Sequence, residues 1–275
     1  MSLTFIIGET GAGKTAFATY LLKEKYITEG RNLLRRSCRI IEEANRKYDR
    51  NYTVPDKVPF YTNYNVKLHV GYRKYYEPYF LNGYYFGVEN EEIDTERVAP
   101  GSTLVIDEAQ RIYDSRKSAT FPDWASYAFE IHRQGYYDIY LLAQRGMLID
   151  RNIKELGVRV IEIRRMENEK DAAGNVAKST WYCREFENWS AAQQYIEKGE
   201  KTYKETTKVH EGNIFENFDS HEKLKEFLPA EGKDFDYPPQ TKTEKITERE
   251  KKFYKSGKPK YRQEIEEKNK RENVI

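Results

Sequence analysis

The 275-residue sequence lacks the features that mark secreted and membrane-spanning proteins. Its only two cysteines, Cys38 and Cys183, are far apart and lack metal-ligand spacing, which favours a reducing compartment over a disulfide-stapled fold. No apolar run approaches the roughly 20 residues that span a bilayer, and the first residues lack the basic flank and cleavage site of a signal peptide. We therefore expect a cytoplasmic protein with no transmembrane segment of its own.

The sequence also lacks a strong excess of charge of either sign. Its net charge is +2, although 33% of its residues are charged. The net charge of the molecule is therefore too small to attract nucleic acid by itself, and any basic contact surface must be local.

Residues 8–15 form the first functional motif, GETGAGKT, directly after the apolar run of residues 3–7. This is the phosphate-loop pattern in its expected context, a buried strand before it and a helix-forming segment after it. Lys14 would reach the β- and γ-phosphates of ATP, and the Thr15 hydroxyl would hold Mg²⁺. The predicted nucleotide-binding residues are Gly8, Glu9, Thr10, Gly11, Ala12, Gly13, Lys14, Thr15 and Ala16. A glycine-rich turn that matches by chance is the alternative.

A second motif follows the apolar segment 102–106, which is typical of a strand inside a parallel sheet and ends in Asp107 and Glu108. Asp107 is predicted to hold Mg²⁺ together with Thr15, and Glu108 to polarise a water for attack on the γ-phosphate. The alternative is an acidic helix start, where carboxylates are favoured by the helix dipole.

Residues 138–144 read as another buried strand, which ends in the amide of Gln144. Because strands of a parallel sheet present their carboxyl ends to one ligand crevice, we expect Gln144 to lie beside Asp107 and Glu108. It would contact the attacking water or the γ-phosphate. A capping amide is the alternative interpretation.

Periodicity and breaker residues predict the remaining elements. Helices are expected over residues 14–29, ended by Gly30, and over 32–47, 122–134 and 190–196, with a short helix or turn over 149–156. Strands are expected over residues 60–63, 159–165 and 179–184, and the last two should form an antiparallel hairpin.

Residues 71–88 are rich in tyrosine and phenylalanine, interspersed with glycine and basic residues. Such rings could stack on unpaired bases. The favoured alternative is an irregular insertion in which they form a small core of their own, with their hydroxyls in water. The sequence does not separate these alternatives.

Taken together, the two motifs and the strand ending in Gln144 resemble the additional-strand, catalytic-glutamate branch of P-loop ATPases. The residues narrow the resemblance to the zonular occludens toxin (Zot) family, which is similar to the filamentous phage assembly ATPase. The segments that carry it are residues 61–63, 105–111, 131–139, 143–144 and 148–153. Relatives carry a second histidine where this chain has Gln134.

The resemblance covers about residues 1–190 and implies an α/β fold, a P-loop NTPase with a mostly parallel central sheet flanked by helices. A C-terminal β-hairpin and a charged tail complete the expected architecture. We expect an ATPase domain over residues 1–190, a helical extension over 191–233 and a charged, disordered tail over 234–275. Family members continue into a membrane-spanning helix, whereas this chain ends in the charged tail.

The resemblance further implies an ATP-hydrolysing motor that extrudes or packages single-stranded DNA of a filamentous phage or mobile element. Its partners would be further copies of the chain, a hexamer by analogy, single-stranded DNA or a DNA–protein complex, and a membrane-anchored protein, with a peripheral position at the inner face of the host membrane. Lys14, Glu108 and Gln144 would act in catalysis, together with an arginine from a neighbouring subunit. Arg133 is the first choice for that arginine, followed by Arg116 and Arg151.

Two other functions stay open at this point. A small-molecule or nucleotide kinase shares the phosphate loop but needs an acceptor site and an arginine-rich lid, for which residues 111–117 are candidates. A nucleotide switch or scaffold would bind ATP without appreciable hydrolysis.

Overall fold

The computed structural model describes residues 2–49, 51–72, 74–80, 98–116 and 129–218. All of them lie in one compact unit, Met1–Glu222. The predicted charged tail and most of the predicted helix over residues 122–134 lie outside the described residues, as does the second half of the aromatic segment. The division of the chain at residues 190 and 233 stays a prediction.

The described residues form ten strands. They are β1 (Leu3–Ile7), β2 (Phe60–Thr62), β3 (Leu68–Gly71), β4 (Lys74–Tyr76), β5 (Tyr79–Phe80), β6 (Thr103–Ile106), β7 (Asp138–Ala143), β8 (Arg159–Lys170), β9 (Val176–Phe186) and β10 (Lys204–Glu211). Eight of these join in one central sheet with the order β10-β9-β8-β1-β7-β6-β2-β5, and β3 pairs with β4 in a separate hairpin. All pairings from β8 to β5 are parallel, whereas β9 runs antiparallel to β8 and β10. The predicted mostly parallel sheet with a C-terminal hairpin is confirmed.

The central strands are buried on both faces, as their apolar sequences require. Successive residues of β1 point to opposite faces, so Phe5 packs in one hydrophobic cluster and Ile6 in the other. The Ile6 cluster includes Phe17 and Leu22 of the first helix. Because β1 is fixed from both sides, the chain leaves it at a defined position.

The first helix, α1, runs without interruption over Lys14–Tyr48, so the predicted break at Gly30 is wrong. Gly30 is buried, and a Cβ there would lie 3.5 Å from Val58 and 3.6 Å from Tyr26. These are ordinary van der Waals distances, so Gly30 is one more residue of the buried helix face, which Leu33 and Ile41 continue beyond it. Tertiary packing offsets the roughly 1 kcal/mol that a helical glycine costs relative to alanine.

Two further helices, α2 (Arg151–Lys154) and α3 (Trp189–Lys198), follow β7 and β9 as predicted. The region predicted as a helical extension differs from that expectation, because it holds the end of α3, strand β10 and a 3-10 turn at Ile214–Asn217. Among the described residues, no helix combines the length and apolar character that crossing a membrane requires.

Candidate nucleotide-binding site

The phosphate loop connects the buried end of β1 to the start of α1. Gly11 and Gly13 adopt left-handed conformations, with φ of 82° and 85°. A Cβ on Gly8 would lie 2.7 Å from the Ile163 carbonyl oxygen, and one on Gly13 would lie 2.4 Å from the Met166 sulfur. The loop therefore requires glycine for both its backbone angles and its close packing against β8.

The Lys14 ammonium group curls back over this loop. Its Nζ donates hydrogen bonds to the carbonyl oxygens of Gly8 and Glu9, each at 2.9 Å. Burial lowers the pKa of Lys14, while the carboxylates of Asp107 and Glu108 act in the opposite direction. The amine is thus held inside the loop and faces the two carboxylates of the second motif.

The first and second motifs meet directly. The Thr15 Oγ1 donates a hydrogen bond of 2.9 Å to Asp107 Oδ2, across a sequence separation of 92 residues. Asp107 Oδ1 accepts a hydrogen bond of 2.8 Å from the Glu108 backbone N–H. The two residues predicted to hold Mg²⁺ are therefore adjacent, with a hydroxyl and a carboxylate as donor atoms.

Asn63 fixes the backbone of Asp107. Its Nδ2 donates to the Asp107 carbonyl oxygen at 2.9 Å, and its Oδ1 accepts from the Asp107 N–H at 2.7 Å. Asn63 directly follows β2, the neighbour of β6 in the sheet. Sequence reasoning placed Asn63 at the end of a strand and in a segment of the family resemblance but did not assign it to the site. Its place at the end of a buried strand, like that of Asp107, was the available signal.

Glu108 lies in the left-handed region, with φ 53° and ψ 38°, where its backbone turns away from the strand direction. Its carboxylate accepts a hydrogen bond of 2.6 Å from Gln110 Nε2 and lies 4.0 Å from Arg111 Nε. A non-glycine residue at positive φ is uncommon and is enriched at functional sites. Sequence reasoning did not identify the contact with Gln110.

Strand β7 lies between β1 and β6, so the sheet contains the additional strand predicted from the motifs. Ile7 pairs with Ala143, and Ile106 pairs with Leu141. The register therefore places the exposed Gln144 next to Gly8, on the loop side of the sheet. Gln144 follows β7 and Asp107 follows its neighbour β6.

The three candidate arginines lie at two different edges of the sheet. Arg116 follows β6 and pairs with Asp114 at 2.7 Å, and Arg151 follows β7 and pairs with Glu155 at 2.6 Å. Both thus follow the carboxyl ends of strands, as the phosphate loop does. Arg133 precedes β7 and lies, exposed, at the edge where β6 and β7 begin. It is therefore placed away from the phosphate loop of its own chain.

The residues present fit a Mg²⁺–nucleotide complex. Gly8 and Gly13 allow the loop to pack directly on β8, where a Cβ at either position would clash, and Lys14 supplies a positive charge inside the loop. Thr15 and Asp107 would supply oxygen ligands of the kind that Mg²⁺ prefers, with phosphate and water completing its shell.

The loop, the additional strand and the paired carboxylates define the fold of a P-loop NTPase. The sequence model of the family described as Zonular occludens toxin (Zot) matches residues 89–216. This match confirms the resemblance, and the chain is a P-loop NTPase with a Zot-family region over those residues. A sequence comparison with curated proteins finds no match.

Two solved structures are among those to which this chain is similar. The N-terminal domain of zonular occludens toxin from Neisseria meningitidis is 15% identical, with a TM-score of 0.43, and the match covers 79% of this chain and 98% of that chain. The genome packaging NTPase B204 from Sulfolobus turreted icosahedral virus 2, in complex with ATP-gammaS, is 11% identical with a TM-score of 0.35. That match covers 76% of this chain and 97% of the other.

Proposed function

We propose that the protein hydrolyses ATP to drive the movement of single-stranded phage or mobile-element DNA during assembly or packaging. The proposal of ATP hydrolysis rests on the contact of Thr15 with Asp107 beside the additional strand β7. The match of the Zot family to residues 89–216 supports the link to phage assembly.

Each residue of the site has a defined role in this proposal. Backbone N–H groups of the loop and Lys14 bind the phosphates, while Thr15 and Asp107 hold Mg²⁺. ATP bound with Mg²⁺ supplies the phosphoryl group that is transferred to water. Glu108 accepts a proton from the water, and its contact with Gln110 orients the carboxylate. Gln144, beside the loop, senses the γ-phosphate.

An arginine from a neighbouring subunit would neutralise charge in the transition state. Arg133 stays the first prediction. Because it lies at the opposite edge of the sheet from its own phosphate loop, it could act only at the site of a neighbouring copy. Arg116 and Arg151, which follow the carboxyl ends of β6 and β7, are the alternatives, and each is already held by a carboxylate. A ring of subunits, a hexamer by analogy, would bring such an arginine to the site.

The test measures phosphate release by the purified protein, with and without single-stranded DNA. Lys14→Ala and Glu108→Gln should each reduce turnover by orders of magnitude, since each removes a group that acts on the reacting phosphate or water. Glu43→Gln, the same change at an exposed position on α1, should leave turnover unchanged. Undiminished turnover in Glu108→Gln would exclude Glu108 as the base.

The kinase alternative is separated by the same assay. A motor releases free phosphate and is stimulated by single-stranded DNA. A kinase would require an added metabolite as acceptor, and a switch would bind ATP with little turnover.

A further inference from the structure

The hairpin of β3 and β4 stands outside the central sheet and exposes two aromatic rings. Tyr72, in the turn of the hairpin, is 86% exposed, and Tyr75, on β4, is 53% exposed. In the described part of the aromatic segment, Tyr76 packs in the core at 6% exposure, as the core alternative requires. The rings of Tyr72 and Tyr75 are exposed instead.

The base of the hairpin is firmly held. Leu68 is fully buried and pairs with Tyr76, and both residues belong to the hydrophobic cluster that contains Ile6. The backbone N–H groups of Lys67 and His69 donate to the backbone and side-chain oxygens of Asn217, at 2.8 and 2.7 Å. These contacts fix the base of the hairpin from which the two exposed rings project.

Positive charge accompanies the rings. Lys74 is exposed on the same strand as Tyr75, although neighbouring side chains of a strand point to opposite faces. The Lys67 Nζ lies over the Tyr75 ring, 4.9 Å from its centre, and the His69 ring meets that ring nearly at a right angle, with ring centres 4.5 Å apart. The exposed remainder of the Tyr75 ring is what a base could contact. Glu77 is the opposing acid, 3.4 Å from Lys67. Exposed rings beside lysines are the combination by which proteins hold single-stranded nucleic acid, with stacking on bases and attraction to phosphates.

The hairpin is also joined to the nucleotide-binding site. Residues 64–67 separate it from Asn63, which holds Asp107 by two hydrogen bonds. Within this connection the buried Tyr64 hydroxyl lies 3.2 Å from Thr19 Oγ1 on α1, one turn beyond Thr15. A displacement of Asp107 or of the start of α1 would therefore be transmitted to the base of the hairpin through direct contacts.

We propose that the β3–β4 hairpin is a contact site for single-stranded DNA, with the rings of Tyr72 and Tyr75 stacking on unpaired bases. This inference rests on the proposed function, since it names the element by which the motor would hold its substrate.

The experiment measures binding of a fluorescently labelled oligothymidylate by anisotropy at fixed ionic strength. Replacing Tyr72 and Tyr75 together by alanine should weaken binding at least about 10-fold, given the contribution of one stacked base per ring. Replacing both by phenylalanine keeps the rings and should retain affinity within about twofold, because stacking needs the π-face rather than the hydroxyl. Tyr48→Ala, at a tyrosine that is 61% exposed on the end of α1, is the matched control and should bind like the wild type. Urea unfolding checks that each variant is folded.

The outcomes separate this inference from the function on which it rests. If the wild type does not bind the oligonucleotide, the proposed DNA motor fails and the inference fails with it. If the wild type binds and the double alanine variant binds equally well, the hairpin site alone is excluded. Loss of affinity in the double phenylalanine variant, or a preference for duplex over single strand, would also overturn the stacking interpretation.

Discussion

Asn63 offers a sharp test of how the second motif is positioned. Asn63→Ala removes both hydrogen bonds to the Asp107 backbone, at 2.9 and 2.7 Å, and changes neither Thr15 nor Asp107. Asp107 then loses the clamp that fixes its carboxylate beside the Thr15 hydroxyl. We expect a weaker Mg²⁺ site in a protein that stays folded.

The magnitude follows from the two lost bonds. A net value of about 0.5–1.5 kcal/mol for each gives a loss of about 1–3 kcal/mol in the free energy of unfolding. The affinity for Mg²⁺ is expected to fall by a similar amount, because loss of a group that orients a metal ligand commonly weakens affinity about 10- to 100-fold. Asn45→Ala is the matched control, since Asn45 makes the same pair of bonds to the Tyr52 backbone at an exposed site.

The assay follows ATP hydrolysis as a function of Mg²⁺ concentration, with urea unfolding measured in parallel. Asn63→Ala should require at least about 10-fold more Mg²⁺ for half-maximal activity, whereas Asn45→Ala should match the wild type. An unchanged Mg²⁺ requirement in folded Asn63→Ala would refute the idea that this amide positions Asp107.

Two further predictions concern stability. Gly13→Ala should lower the free energy of unfolding by more than Gly174→Ala: both glycines have φ near 85°, which costs about 1–3 kcal/mol for alanine, but only at Gly13 would the Cβ also meet Met166. Equal losses by urea denaturation would argue against that contact. Asp138→Asn should cost about 2 kcal/mol at pH 7, because it removes a charged hydrogen bond of 2.5 Å from the largely buried Lys25. Burial acts to raise the pKa of Asp138, but the charge and hydrogen bond of Lys25 lower it overall, so the stabilisation is present above the unfolded pKa and is lost as the pH falls through the lower folded value. The difference between Asp138→Asn and the wild type should therefore shrink below about pH 4, and a difference that is independent of pH would contradict this reasoning.

The phosphate loop and the sheet were predictable because short, local patterns encode them. The GETGAGKT motif is recognisable from eight consecutive residues, and the apolar runs of β1, β6 and β7 identify buried strands without knowledge of their neighbours. The additional strand was expected for the same reason.

The contacts that complete the site were not predictable from local pattern. Asn63 and Asp107 are 44 residues apart, and their pairing depends on β2 lying beside β6. The helix break at Gly30 was predicted wrongly because the local propensity of glycine says nothing about Val58, which packs against it. In each case a tertiary neighbour, absent from the sequence window, decides the outcome.

The packing of Gly13 against Met166 and Trp181 has a consequence for the order of folding. The phosphate loop belongs to the first residues of the chain, but one of its walls comes from β8 and β9, far downstream. Contacts between such distant segments form late, because the long intervening chain must first be closed. A nascent or truncated chain that ends before β8 would contain the complete motif and still lack the surface against which the loop is shaped. Nucleotide affinity would then report the completion of folding, and a chain could engage ATP only after its final sheet strands had docked.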